Sequence, residues 1–248
     1  MLLPPEAFQH VPALAGKIFQ PEKSFFRLSH ERLNDLDRAA RENGYPADWR
    51  LTDEAREATR AALLGGHTGD LWIFAYGSLM WDPAIHIVEI RTGMLQGFHR
   101  RFCLKSHIGR GSREKPALMA GLDDGGSCTG LAFRVPAETV DRETEILWMR
   151  EMIAGTYLPT MVPIETPQGN VEALTFVMNR NSSRYVRLDL EETARIIATG
   201  RGLRGTCLEY LENLADRLDL LGLHDPDIDE LRARVRQLLE PAQPQVQP

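Results

Sequence analysis

Apolar residues recur at helical spacing towards both ends of the chain and fall into short strand-like runs between them. In the leading stretch, residues 1–70, the segments Ser29–Asn43 and Asp53–Leu64 are rich in Glu, Arg, Ala and Leu and read as helices. Gly44, Pro46 and Asp48 break between them. Thr52 is placed to cap the second helix, with Asp53 and Glu54 in its first turn and Gly65-Gly66 after its end. No chemistry is evident in this helical N-terminal extension, which reads as an appendage for packing or oligomerisation; a homodimer stays open.

From Leu71 to Asn179 the pattern changes. Leu71–Tyr76, Ile85–Thr92, Phe98–Lys105, Ala117–Leu122 and Cys128–Val135 are apolar, aromatic or alternating, with glycines between several of them. Pro163–Glu165 and Val171–Met178 flank Pro167-Gln168-Gly169 and read as a hairpin. One helix, Glu138 to Ala154 with Gly155 at its end, interrupts the strands. Many short strands with one embedded helix predict an α+β domain built on a small closed barrel. Residues 189–240 return to helix. Asp189 with Glu192 and Thr206 with Glu209 form capping-box patterns, and Leu211, Leu214, Leu218 and Leu221 make an apolar stripe suited to core packing. Asp225-Pro226 opens a last helix with Ile228, Leu231, Val235 and Leu238 on one face. The main domain is therefore expected over 71–240. The Pro- and Gln-rich residues 241–248 are expected to be a disordered tail.

Composition narrows the function classes. A net charge of −6 without a long basic run disfavours a nucleic-acid or acidic-membrane binder. Cys103, Cys128 and Cys207 stand far apart and without CxxC spacing, which predicts free thiols in a reducing compartment. The first residues lack the basic and apolar regions of a secretory leader, and no apolar run reaches the ~18 residues of a spanning helix. A cytoplasmic protein without membrane contact is expected. Neither a metal-ligand cluster nor a dinucleotide fingerprint appears, so no cofactor is expected.

Two places break the packing rules. In Ile73-Phe74-Ala75-Tyr76-Gly77-Ser78-Leu79-Met80-Trp81 an apolar strand runs into Tyr-Gly-Ser and at once into more large apolar residues. Glycine there admits close backbone approach to a ligand, and successive N–H groups can form an anion-binding nest; a plain strand-ending turn reads the same way. The second is Glu151. Val140, Thr144, Leu147 and Trp148 form the inward stripe of its helix, and Glu151 falls on that stripe. A carboxylate there must be paired, protonated or catalytic, unless the helix end lets it reach solvent or a distant arginine. Arg150, about 100° round the helix, is not expected as its automatic partner.

Together these features mark a resemblance. Phe74–Trp81, Gly97-Phe98-His99-Arg100-Arg101-Phe102-Cys103-Leu104, Arg110–Pro116, Gly126–Gly130, Arg150-Glu151-Met152, Gly155–Pro159 and Glu209-Tyr210-Leu211-Glu212-Asn213 follow one another in order. This series resembles the ChaC-type γ-glutamylcyclotransferases, the bacterial members most closely, from about Leu71 to about Leu239. The resemblance implies a mixed β-barrel-like fold flanked by helices, and breakdown of glutathione to 5-oxoproline and cysteinylglycine. It also implies that Ile73, Phe74, Ala75, Tyr76, Gly77, Ser78 and Leu79 hold the γ-glutamyl group. Glu151 matches the catalytic acid/base, and Tyr185 matches a tyrosine closing over the substrate. The chain departs from the family at Ser112, Arg113 and Ala117, where Thr, Pro and Gly are usual, which bears on substrate preference through the 107–117 loop.

Such a reaction needs little from the protein. The substrate's own α-amine attacks its γ-carbonyl, so no Ser, Cys or metal nucleophile is required. One carboxylate serves as base and then acid, and N–H groups near Gly77–Leu79 are candidates for the oxyanion. Leu147 and Trp148 should raise the pKa of Glu151 by desolvation. Alternatives are a cyclotransferase for other γ-glutamyl amino acids or amines, and a non-catalytic γ-glutamyl-binding regulator. A cysteine hydrolase is disfavoured, since Cys103 and Cys128 lack an evident His partner and His99 and His107 read as surface or loop residues.

Overall fold

The computed structural model describes residues 3–42 and 44–240. The tail expectation for 241–248 lies outside the described residues. Five strands close into a barrel: β1 (Leu71–Ala75), β2 (Glu89–Ser106), β3 (Ala117–Val135), β4 (Tyr157–Glu165) and β5 (Val171–Met178). Their order is β1-β3-β2-β4-β5, antiparallel except that β5 closes the ring by pairing parallel with β1 and also meets β3 in parallel at Leu122–Val177. Side chains alternate across the barrel wall. Phe74, Leu95, Leu122, Ala132, Ile164 and Val177 belong to a cluster drawn from the strands. Their neighbours Ile73, Ala75, Phe133 and Phe176 join the larger core that includes the helices. With both faces covered, β1 reads as an unbroken apolar run rather than an alternating one.

The segments Ile85–Thr92 and Phe98–Lys105 are not two strands. Residues 85–88 lie outside the ladder, and β2 continues through Gly97, at φ 85°, with register shifts between Gln96 and Phe98 and between Phe102 and Leu104. In the same way β3 runs through Gly125 and Gly126, at φ 93° and 69°. Glycines that read as strand ends instead let two long paired strands bulge and bend.

Helix α1 (His30–Glu42) and α2 (Asp53–Leu64) form the helical part of the extension, with Thr52 Oγ1 accepting from Ala55 N at 3.1 Å as the cap. α3 (Val140–Glu151) follows a 3₁₀ turn over Ala137–Thr139 and is shorter at both ends than expected. α4 (Leu190–Thr199), α5 (Cys207–Leu221) and α6 (Pro226–Leu239) complete the fold. Thr206 and Glu209 make the full capping box of α5, and Gly222, at φ 64°, ends it.

The extension is clamped to α3. Arg27 grips Glu143, which is 1% exposed, through two bonds of 2.7 and 2.9 Å. Trp148 Nε1 donates to Thr59 Oγ1 at 3.0 Å, and Arg60 pairs with Asp141 at 2.8 Å. α3 ends in Glu151, so the extension braces the helix that carries the anomalous carboxylate.

Candidate active site

β1 delivers Tyr76 and Gly77 to the end of the barrel, where Ser78–Met80 make a single 3₁₀ turn. Met80 N bonds Gly77 O at 2.9 Å, and the N–H groups of Ser78 and Leu79 have no acceptor within so short a turn. α3 brings Glu151 to the same place. A pocket is lined by Tyr76, Gly77, Ser78, Leu79, Ala120, Glu151, Tyr157, Phe176 and Tyr210. At about 20 Å³ it admits little more than a water, so entry of a larger group must open it locally.

Of the residues expected here, Tyr76, Gly77, Ser78, Leu79 and Glu151 meet. Ile73, Phe74 and Ala75 are buried in the two cores and support the turn from behind. Tyr185 does not line this pocket. Its hydroxyl donates to Asp123 at 3.0 Å, and its ring packs against the Cys103, Leu104 and Met178 cluster.

The sequence expectation for Arg150 is corrected. Its Nε stands 2.7 Å from Glu151 Oε1. Both residues lie in the last turn of α3, about 100° apart round the axis, and the long guanidinium arm of Arg150 reaches across that angle. Arg150 also donates to Ser78 Oγ at 2.8 Å and to the Asp82 carbonyl, tying the carboxylate to the turn. Glu151 is 14% exposed in its side chain. Burial raises its pKa above the ordinary carboxylate value, against the opposing pull of Arg150.

Three phenols surround the carboxylate. Tyr76 donates to the Phe176 carbonyl at 2.7 Å, and Tyr157 reaches the Ala120 carbonyl at 3.5 Å. The Ala120 N–H donates to the Tyr210 oxygen, leaving the Tyr210 proton to point elsewhere. Burial lifts all three above the ordinary phenol value, so they stay protonated donors. Tyr157 and Tyr210 were not assigned a role from the sequence. They come from β4 and α5, and only the folded barrel joins them to Glu151.

The cysteines are buried and free. Burial pushes Cys103 up to about 12 and Cys128 and Cys207 to about 11, which suppresses the thiolate a nucleophile needs.

Gly77 is required by space. A Cβ there would stand 2.9 Å from the Tyr210 hydroxyl. The Tyr210 ring is held edge-on by Trp81 and Phe102, at 5.4 and 5.8 Å, so the hydroxyl cannot step aside freely. Gly77→Ala is expected to lower kcat/KM by roughly 10- to 100-fold, and to destabilise by about 1–3 kcal/mol through overpacking. Steady-state kinetics and a melting curve check it; parent-like kinetics would mean that the Tyr210 position does not matter.

A family model described as ChaC-like protein matches residues 71–238. The chain belongs to that family. It is 41% identical over 190 residues to the glutathione-specific γ-glutamylcyclotransferase of Escherichia coli K12, covering 75% of this chain and 82% of the relative. Against the human glutathione-specific γ-glutamylcyclotransferase 1 the identity is 34% over 177 residues, covering 68% of this chain and 80% of the relative. The fold is that of the crystal structure of a yeast γ-glutamyl cyclotransferase specific to glutathione. That match has a TM-score of 0.63 and 20% identity, over 68% of this chain and 97% of that one. The ChaC-like match begins at β1, so the extension that braces α3 lies outside it.

Proposed function

We propose that this ChaC-like protein is a glutathione-specific γ-glutamylcyclotransferase, a lyase that releases 5-oxoproline and cysteinylglycine. The observation that carries the reading is Glu151, desolvated and held by Arg150 in one pocket with the Tyr76–Leu79 turn. The curated relatives from E. coli and human bear the same activity in their names.

The γ-glutamyl group enters against the turn with its α-ammonium towards Glu151. The raised pKa makes Glu151 a better base than an ordinary surface carboxylate, and it takes one ammonium proton. The freed amine attacks the γ-carbonyl carbon, and the new C–N bond closes a five-membered ring. The charge that collects on the carbonyl oxygen is met by the N–H groups of Ser78 and Leu79. The C–N bond to cysteine then breaks as Glu151 returns its proton to the departing nitrogen; the ring nitrogen gives up its second proton through the same carboxylate, and the dipeptide leaves as an ammonium. Water is neither consumed nor activated. Because attack is intramolecular, positioning supplies much of the rate.

The low thiolate character of the three buried cysteines is consistent with work in a reducing cytoplasm. Among the described residues, no helix is long and apolar enough to cross a membrane. Incubation of the purified protein with reduced glutathione should yield equimolar 5-oxoproline and cysteinylglycine by mass spectrometry. Intact glutathione after prolonged incubation would remove the assignment.

A further inference from the structure

A cavity of about 770 Å³ adjoins the Glu151 pocket, with Ser78 and Tyr210 lining both. One wall comes from the extension, which had no chemistry in the sequence: Phe19, Phe25 and Phe26 line it. The lining is cationic, with Lys17, Lys23, Arg110, Arg204 and Arg217 against Asp82 and Asp216. Asp216 is committed to Arg232 and Arg110 is partnered by Glu209, but Arg204 differs. Among the described residues its guanidinium makes neither a salt bridge nor a hydrogen bond, and Asp82 of the same lining attracts it only from a distance. It stands over aromatic rings instead, 3.4 Å from the Phe25 ring centre and 4.7 Å from that of Phe26. Arg217 adds two buried nitrogens, Nε and Nη1, without a partner.

Phe26 carries a second guanidinium. Arg150, which holds Glu151, stands 4.4 Å from the same ring centre. One aromatic ring therefore links the proton-transfer carboxylate's partner to the unpaired Arg204. At 4.4 and 4.7 Å from one ring centre, the two guanidinium carbons are at most about 9 Å apart, within reach of two residues of extended peptide at roughly 7 Å plus a side chain. The turn carrying Arg204 is fixed, since Arg201–Gly202 pairs with Gly205–Thr206 and Arg204 N donates to Gly109 O at 2.8 Å.

We propose that this cavity is the subsite for the departing dipeptide, with Arg204 on its Phe25–Phe26 platform binding the C-terminal carboxylate. The inference rests on the cyclotransferase reading and deepens it. The extension then supplies part of the substrate site: its aromatic rings desolvate and aim the guanidinium that selects a free carboxylate. Burial, and then the neighbouring Arg110 cation, lower the pKa of Arg204 against the pull of Asp82.

The test pairs glutathione with its glycine-amide, which lacks the terminal charge. Binding is measured by calorimetry on Glu151→Gln protein, where turnover is slowed by at least about a hundredfold, with and without Arg204→Ala. Turnover is measured with Glu151 intact. Arg204→Ala should weaken glutathione at least about tenfold in Kd and in kcat/KM, and leave the amide within about twofold. Arg204→Gln should match it, and Phe25→Ala should show the same selectivity to a smaller degree, all with parent-like melting. Equal losses on both ligands, or on neither, would overturn the subsite even if the parent forms 5-oxoproline. Selective binding without any 5-oxoproline would keep the subsite and discard the reaction.

Discussion

Glu151→Gln should lower kcat on glutathione by about 10²–10⁴-fold, the usual worth of a positioned acid/base. The amide keeps the shape of the side chain but accepts no proton from the ammonium and returns none to the leaving amine. The same substitution should stabilise the fold at neutral pH, and its pH dependence has a definite sign. Burial raises the folded pKa of Glu151 despite Arg150, whereas in the unfolded chain the carboxyl titrates near its ordinary value. The protonated carboxyl is thus the form the fold favours. Its contribution is complete below the unfolded pKa and is lost as pH rises through the folded one. The melting difference between Glu151→Gln and its parent should be near zero at about pH 4, below the unfolded carboxylate range, and should grow as pH rises. A variant less stable at pH 8 would mean that the Arg150 pair outweighs the cost of burial. Turnover within tenfold of the parent would remove Glu151 from the proton transfers.

The largest loss of stability is expected at Arg100. Its side chain is fully buried, with Nε donating to the Tyr76 carbonyl at 2.6 Å and the other nitrogens to the Thr129 carbonyl and Asp225. Asp225 in turn caps α6, its Oδ1 accepting from Ile228 N at 3.3 Å. One guanidinium therefore fixes the start of the Tyr76–Leu79 turn, a β3 carbonyl and a helix cap. Arg100→Met keeps much of the volume but strands the Asp225 charge and two buried carbonyls, at a cost of about 3–5 kcal/mol. For a chain of this size that lowers Tm by roughly 10 °C. Asp225→Asn in the Arg100→Met background should recover part of the loss, because the stranded charge is gone. A Tm within about 2 °C of the parent, or simple additivity of the two changes, would show that Arg100 is not the anchor.

The sequence made some of this legible and hid the rest for physical reasons. Helical period exposed Glu151 because Thr144, Leu147 and Trp148, all essentially buried, set the stripe on which it lies. The capping signals at Thr52, Asp189 and Thr206 were local and appear as bonds. Strand ends were misread where Gly97, Gly125 and Gly126 bend a paired strand, since a glycine that ends a strand and one that bulges it look alike in sequence. The Arg150–Glu151 contact escaped the helical-wheel argument because that argument places Cβ directions and not the reach of a long arginine side chain. Tyr157, Phe176 and Tyr210 are joined to Glu151 only by barrel closure and the packing of α5, which no local pattern encodes. The extension looked inert because its contribution is two adjacent phenylalanines whose partners, Arg150 and Arg204, lie more than 120 residues away.

Cyclisation and hydrolysis break the same bond and both need a carboxylate, so the isotopic fate of solvent oxygen separates them. Glutathione is turned over in ¹⁸O-water and the first-formed products are read by mass spectrometry. Attack by the α-amine predicts 5-oxoproline without solvent label. Glutamate carrying ¹⁸O in its γ-carboxylate as the primary product would show that Glu151 activates water, and would contradict the cyclotransferase account.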